Sequence, residues 1–343
     1  MLASCSTAFG CREEDLPPLR WESERTVIGS RLNGLELCAD DLALLDEHVG
    51  FVEDMLGVKR QAKVEVYFYD FDELPCSVSP QGCYRRDTDQ IHMATWDGVD
   101  HELVHAIARD LRFSSLFWDE GVAEALRWTG TLRTETDTLQ NAWETSSPEL
   151  DYMNARHFVR WFVESFGAED LRRVAEGLSL EEVVGSSFDE LVADHELSSP
   201  YAYPAWPQYA CPYPALSRAA DGRWREEINL GCDEKGATGI GGTGGVSTVR
   251  TVELEAGRYR LLQRGGMFTA LLGCQTSVLS EPLSEMHHGA AFNESEFSRM
   301  PSPTYFPSET EHVLEIEEGG LFRVTVAGPP EGRLAATIDL RRE

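Results

Sequence analysis

Hydrophobic spacing changes character near residue 200, and that break restricts the chain to an assembly of two unlike halves. Before it, apolar residues recur at helical intervals: Tyr152, Ala155, Phe158, Val159, Phe162, Val163 and Phe166 form one such stripe, closed by Gly167. After it they alternate in short runs separated by Gly and Pro. Val249, Val252 and Leu254 are followed by Tyr259 and Leu261, then by Val313, Leu314 and Ile316, by Phe322, Val324 and Val326, and by Leu334, Ala336, Ile338 and Leu340. Such runs are the mark of strands with one buried face. Tyr, Pro and Ala dominate residues 200 to 216, and a Gly-rich run, Gly236 to Gly245, comes soon after. The expectation is an α+β protein with a flexible N-terminus over 1–20, a main domain over 21–200, a linker over 201–225 and an all-β sandwich over 226–343. At 343 residues the chain exceeds what one core usually supports, which agrees with that division.

Within the main domain the region up to about residue 97 reads as mixed α/β. Leu42, Leu44, Leu45, His48, Val49, Val52 and Leu56 have helical spacing, with Gly57 as the stop. Val64, Val66 and Phe68 alternate as a strand, and residues 90–95 read as another. From Asp100 to about Glu196 the chain reads as helical, with capping boxes at Ser179 with Glu182 and Ser187 with Glu190.

The chemistry is carried by His101-Glu102-Leu103-Val104-His105. On a helix, residues i and i+4 lie one above the other, so both imidazoles reach one ion while Glu102 projects toward its open position. Val99, Leu103, Ile107 and Leu111 give this helix a buried face, and Asp100 is expected to cap it. A third ligand is still needed. His157 and His195 lie far downstream, and Ala108 and Leu111 stand where an HExxHxxGxxH pattern requires Gly and His. Glu120 is better placed, because Trp118 to Ala125 reads as the start of a second helix that returns beside the histidines after a short loop. Its plain alternative is a solvated carboxylate at a helix start.

His101 to His105 with Trp118 to Glu124 resembles the gluzincin peptidases, whose HExxH helix is followed by a glutamate-bearing helix often reading W-x-x-E-G-x-A. The likeness is to the bacterial branch with a minimal catalytic domain, and less to thermolysin and the zinc aminopeptidases; it covers about residues 90 to 196. It implies a zincin-like metallopeptidase domain acting on peptides or proteins, with His101, His105 and Glu120 as Zn2+ ligands and Glu102 as general base. It further implies that Glu124 holds a ligand histidine through its other ring N–H. Only 14 residues separate His105 from Glu120, which implies a short loop. The Gly-x-Met-Glu-Asn motif of aminopeptidases is missing, so an endopeptidase is expected. Tyr152 opens a helix that looks like the one on which zinc aminopeptidases place their transition-state tyrosine, which implies an oxyanion-donor role. Tyr152 as a core residue, and His157 as either the donor or a surface residue beside Arg156 and Arg160, are the other readings. The strand at 90–95 is expected to offer its edge to an extended peptide.

With 30 Lys+Arg against 59 Asp+Glu and no basic stripe, nucleic acid is excluded as an expected partner. No apolar run reaches the 18 or so residues of a membrane span. Cys76 and Cys83 flank a turn containing Pro75, Pro80 and Gly82, while Cys232 and Cys274 share the C-terminal region. Both are expected as disulfides, in an oxidising compartment. Leu2-Ala3-Ser4-Cys5 resembles the lipobox of bacterial lipoproteins, which implies a membrane tether through a lipidated Cys5 and a cell-envelope or extracellular location; a chance match is the alternative. His48, His92, His195, His287, His288 and His312 read as ordinary or satisfied histidines, and nothing indicates an oligomeric state. A second functional class is an envelope binding or adhesion protein that uses the sandwich for binding and the metal domain as scaffold. Degenerate metallopeptidases lose the glutamate or a ligand; here all four residues are present.

Overall fold

The computed structural model describes residues 16–32, 35–76, 81–133, 139–144, 151–209, 211, 213–239, 246–266, 268–274, 304–307, 309, 311–328 and 335–343. Cys5 and its lipobox-like surroundings, Pro80, Ile240 to Gly245, His287, His288 and Leu334 lie outside the described residues.

The first half is built on a five-stranded sheet. Its strands are β1 (Leu19–Glu22), β2 (Thr26–Ser30), β3 (Val64–Phe68), β4 (Gly82–Arg85) and β5 (Gln90–Met93), in the order β1-β2-β3-β5-β4. β2, β3 and β5 run parallel, whereas β1 and β4 are antiparallel edges. The 90–95 strand is therefore no edge: the β4–β5 hairpin covers it, and β4 takes the edge position. Ile91 and Met93 are buried accordingly.

Helices supply the rest of this half: α1 (Ala39–Leu56), α2 (Val99–Ile107), α3 (Leu116–Ala125), α4 (Leu139–Glu144), α5 (Tyr152–Phe166), α6 (Ala168–Ala175), α7 (Leu180–Val184) and α8 (Phe188–Ser198). Both expected capping boxes form, and Gly57 ends α1 in the left-handed conformation at φ 66°. Phe68, Leu103, Phe117, Trp118, Phe158 and Phe162 join sheet and helices in one apolar core. A two-stranded piece, β6 (Thr131–Leu132) with β7 (Ala202–Tyr203), adds to it. The stretch expected to open the linker is packed: Tyr203, Ala205, Trp206 and Tyr209 belong to the same core, and Trp206 Nε1 donates to the Ala125 carbonyl at 2.9 Å.

The second half holds β8 (Trp224–Asn229), β9 (Ala237–Thr238), β10 (Ser247–Leu254), β11 (Gly257–Arg264), β12 (Phe268–Gly273), β13 (Thr304–Pro307), β14 (Glu311–Ile316), β15 (Gly320–Ala327) and β16 (Ala335–Arg342). They form two antiparallel sheets, β13-β12-β15-β10-β9 and β14-β11-β16-β8. Val252, Leu254, Val324 and Val326 of one sheet share a core with Ile228, Tyr259, Leu261, Ile338 and Leu340 of the other. The protein is thus of mixed α+β class, as expected.

Cys76–Cys83 forms, but Cys232 and Cys274 do not pair with each other. The disulfides are Cys38–Cys232 and Cys211–Cys274. Sharing a sequence region misled here because β9 lies against the start of α1: Ala39 N donates to the Cys232 carbonyl at 3.1 Å. Buried Asp41 accepts from the Cys38 and Gly239 amides at 2.8 Å each and from the Thr238 hydroxyl. Three disulfides among the described residues point to an oxidising compartment. No helix among the described residues is long and apolar enough to cross a membrane.

Candidate metal centre

Helix α2 carries the HExxH residues, and its start is set by Gly98 at φ 88° rather than by Asp100. Asp100 lies in the first turn, fully buried, because α3 delivers it a partner. It accepts from Arg127 Nε at 3.1 Å and from the Trp128 amide at 3.3 Å, just beyond the α3 end. Helix α3 starts at Ser115, whose side chain accepts from the Trp118 amide at 3.4 Å. Gly121, directly after Glu120, lets α3 press onto α5. A Cβ there would sit 2.9 Å from a Val159 methyl and 3.3 Å from the Ala155 carbonyl oxygen. These contacts turn Glu120 onto the face opposite His101 and His105.

The three expected ligands meet. His101 Nε2 and His105 Nε2 are 3.1 Å apart, and Glu120 Oε2 lies 3.2 Å from the first and 3.4 Å from the second. Ligand atoms at ~2.0–2.1 Å from one tetrahedral ion are about 3.3 Å apart, so this triangle has the size such an ion requires. The outer ring nitrogens indicate which atoms carry protons. Glu124 Oε1 lies 2.9 Å from His101 Nδ1, a close ionic contact not well aligned on the N–H direction. Asp119 Oδ1 lies 3.5 Å from His105 Nδ1. Carboxylates only accept, so with an ion bound Glu124 and Asp119 would hold the protons on Nδ1 and leave both Nε2 atoms to the metal. Two imidazole Nε2 atoms and a carboxylate oxygen converge on one point, a group that fits a metal ion.

No family model and no curated protein matches this chain.

Electrostatics agree with a cation site. Burial opposes charge on His101, yet Glu120 and Glu124 outweigh it and hold its pKa well above the ordinary value. Burial opposes charge on His105 too, but Asp119 and Glu120 push its pKa up to about 9. For Glu120, burial acts upward, but the two histidines bring its pKa down to about 2. Glu124 is likewise lowered against its burial, by Arg127, His101 and Arg156. Such a cluster takes up either protons or a metal, so metal binding releases protons and weakens in acid.

Of the other candidates, Glu102 accepts from the Tyr84 backbone N–H at 2.7 Å. Tyr152 is 37 % exposed at the start of α5, and its phenol is pushed up to about 12 by partial burial and by Glu120, Glu124 and Glu102. It is therefore not a core residue and sits within the field of all three carboxylates. His157 is not at the surface. It is buried with Arg156 and Arg160, its Nδ1 2.9 Å from His195 Nε2 and its Nε2 3.0 Å from the Pro200 carbonyl. Arg156 reaches Glu124 at 3.4 Å and the Gly130 carbonyl at 2.6 Å. Asp119 and Tyr84 were not anticipated; Asp119 was signalled only by its place beside Glu120, and Tyr84 by nothing in the sequence.

The His157–His195 pair is expected to make the fold acid-sensitive. Burial lowers both pKa values, with Arg133 adding to it, to about 4 for His157 and about 3 for His195. Between the unfolded value of about 6.5 and these depressed values the unfolded chain binds more protons, so this pair's contribution to stability is full above pH ~6.5 and falls as pH drops toward 4. The expected slope is about 1.4 kcal/mol per pH unit for each histidine held neutral. Urea midpoints of metal-free wild type and His195→Gln across that window check this. Equal slopes would remove the pair as the cause.

Proposed function

We propose that the protein is a zinc-dependent endopeptidase of gluzincin type, exported to the cell envelope or beyond, with a C-terminal β-sandwich module. The observation that carries this reading is the triangle of His101 Nε2, His105 Nε2 and Glu120 Oε2, with Glu102 next in sequence to one ligand. Two histidines and one carboxylate leave a coordination position open, the donor set of hydrolytic zinc rather than of a closed structural site. Bound zinc would supply Lewis acidity and bring the pKa of a coordinated water toward neutrality.

The chain's own residues would do the rest. Glu102 takes a proton from the attacking water and passes it to the leaving amine. Glu124 and Asp119, on the outer ring nitrogens, fix the histidine tautomers and make the inner nitrogens better donors. Tyr152 supplies a neutral hydrogen-bond donor for the developing oxyanion, since its raised pKa keeps the phenol protonated at working pH. The buried, doubly bonded ring of His157 is unsuited to that role.

Metal analysis of protein purified without added zinc, paired with hydrolysis of a general casein substrate, tests the reading. About one zinc per chain and chelator-sensitive cleavage are expected. Bound zinc with no hydrolysis of casein or a broad peptide library would favour the binding-protein alternative. Tyr152→Phe is expected to keep zinc and KM and to lower kcat by about two to three orders of magnitude. Near-wild-type turnover in that variant would exclude Tyr152 as the oxyanion donor.

A further inference from the structure

Glu102 is held by the backbone of a neighbouring strand. Its Oε2 accepts from the Tyr84 N–H at 2.7 Å, and its side chain makes no other hydrogen bond among the described residues. The register explains why that N–H is free for it. Ala94 N donates to the Gln81 carbonyl at 2.7 Å, and Cys83 faces His92 while Tyr84 faces Ile91. Hydrogen-bonded and non-hydrogen-bonded pairs alternate in an antiparallel ladder, so Tyr84 and Ile91 form a non-hydrogen-bonded pair. The Tyr84 N–H therefore points off the edge of β4, toward α2.

That N–H belongs to the peptide joining Cys83 to Tyr84, and both sides of this peptide are fastened. Cys83 is bonded to Cys76. Tyr84 Oη donates to Asp89 Oδ1 at 2.8 Å, and Asp89 accepts from Arg60 at 2.7 Å and from Arg109. Arg60 in turn donates to the Ala106 carbonyl of α2 at 2.7 Å, tying the hairpin to the helix that bears Glu102.

We propose that the Cys76–Cys83 disulfide and the Tyr84 phenol are positioning elements for Glu102. They set the Cys83–Tyr84 peptide so that its N–H fixes one carboxylate oxygen and leaves the other to move the proton. The inference rests on the peptidase reading for the role of Glu102. The disulfide then acts on turnover without touching the metal ligands.

The test uses the full zinc-loaded chain as wild type, Cys76→Ala/Cys83→Ala and Tyr84→Phe, with and without Glu102→Gln. Zinc content should be unchanged throughout. In the cysteine variant kcat should fall about 10- to 100-fold, the scale on which small misplacements of catalytic groups act, with KM within about twofold. Tyr84→Phe should show the same split with a smaller loss. In the Glu102→Gln background neither change should lower the residual rate further. Independently of activity, hydrogen exchange should find the Tyr84 amide protected in wild type and exposed in the cysteine variant. Retention of full kcat, an equal loss in the Glu102→Gln background, or unchanged protection of that amide would each overturn the proposal. If the cysteine variant does not fold, Tyr84→Phe decides by the same criteria. A wild-type protein that binds zinc but cleaves nothing defeats the peptidase reading instead, and the exchange arm then reports whether the disulfide sets the Glu102 contact.

Discussion

Glu102→Gln is expected to retain zinc and to lose about two to four orders of magnitude in turnover, the range that a positioned general base supplies. Glutamine keeps the length and shape of the side chain, and its amide oxygen can still accept from the Tyr84 N–H. It cannot take a proton. None of the three converging ligand atoms belongs to residue 102, so the metal should remain. Zinc content by mass spectrometry and initial rates on one peptide substrate measure both halves of this prediction. A variant that loses its zinc would mean that residue 102 supports the ligands instead, and wild-type turnover would refute the assignment outright.

The second large effect is expected at Glu120. Glu120→Ala should reduce bound zinc from about one per chain to a small fraction, because two histidines alone rarely hold zinc against water. Glu124→Gln is the graded comparison: it removes the charge beside His101 Nδ1, Arg127 and Arg156 but no converging ligand atom, and loss of such an outer contact costs about 10- to 100-fold in affinity. The fold should survive both changes. Phe117, Trp118 and Val122 anchor α3 in the core independently of the carboxylates. Zinc titration with a competing chelator ranks the variants; a Glu120→Ala affinity equal to that of Glu124→Gln would show that Glu120 is not a direct ligand.

What the sequence disclosed and what it hid follow from the range of the forces involved. The convergence of His101, His105 and Glu120 was legible because helical periodicity is local and the loop between α2 and α3 is short. Gly167, Gly57 and the serine capping boxes were legible for the same reason. Asp100 was misassigned because a carboxylate at a helix start has a ready local role, whereas here, besides the adjacent His101 amide, it is held by Arg127 and the Trp128 amide just past α3. His157 was open to a surface reading because its polar neighbours Arg156 and Arg160 are buried through long-range bonds, to Thr129 and Gly130 in one case and to the face of Trp206 in the other. The edge strand was misplaced because strand order is a property of the sheet and not of any one strand. Cysteine pairing failed in the same way: a seven-residue separation is readable, a separation of 194 is not.

The two long disulfides overlap along the chain, since Cys211 lies between Cys38 and Cys232 while Cys274 lies beyond them. A single backbone cut anywhere between residues 38 and 274 therefore leaves both fragments in one covalent molecule. In surroundings that hold proteases, nicking would not amount to dissociation. The helices bearing the metal ligands would stay tethered to the rest of the chain, and damage would become visible as two fragments only after reduction.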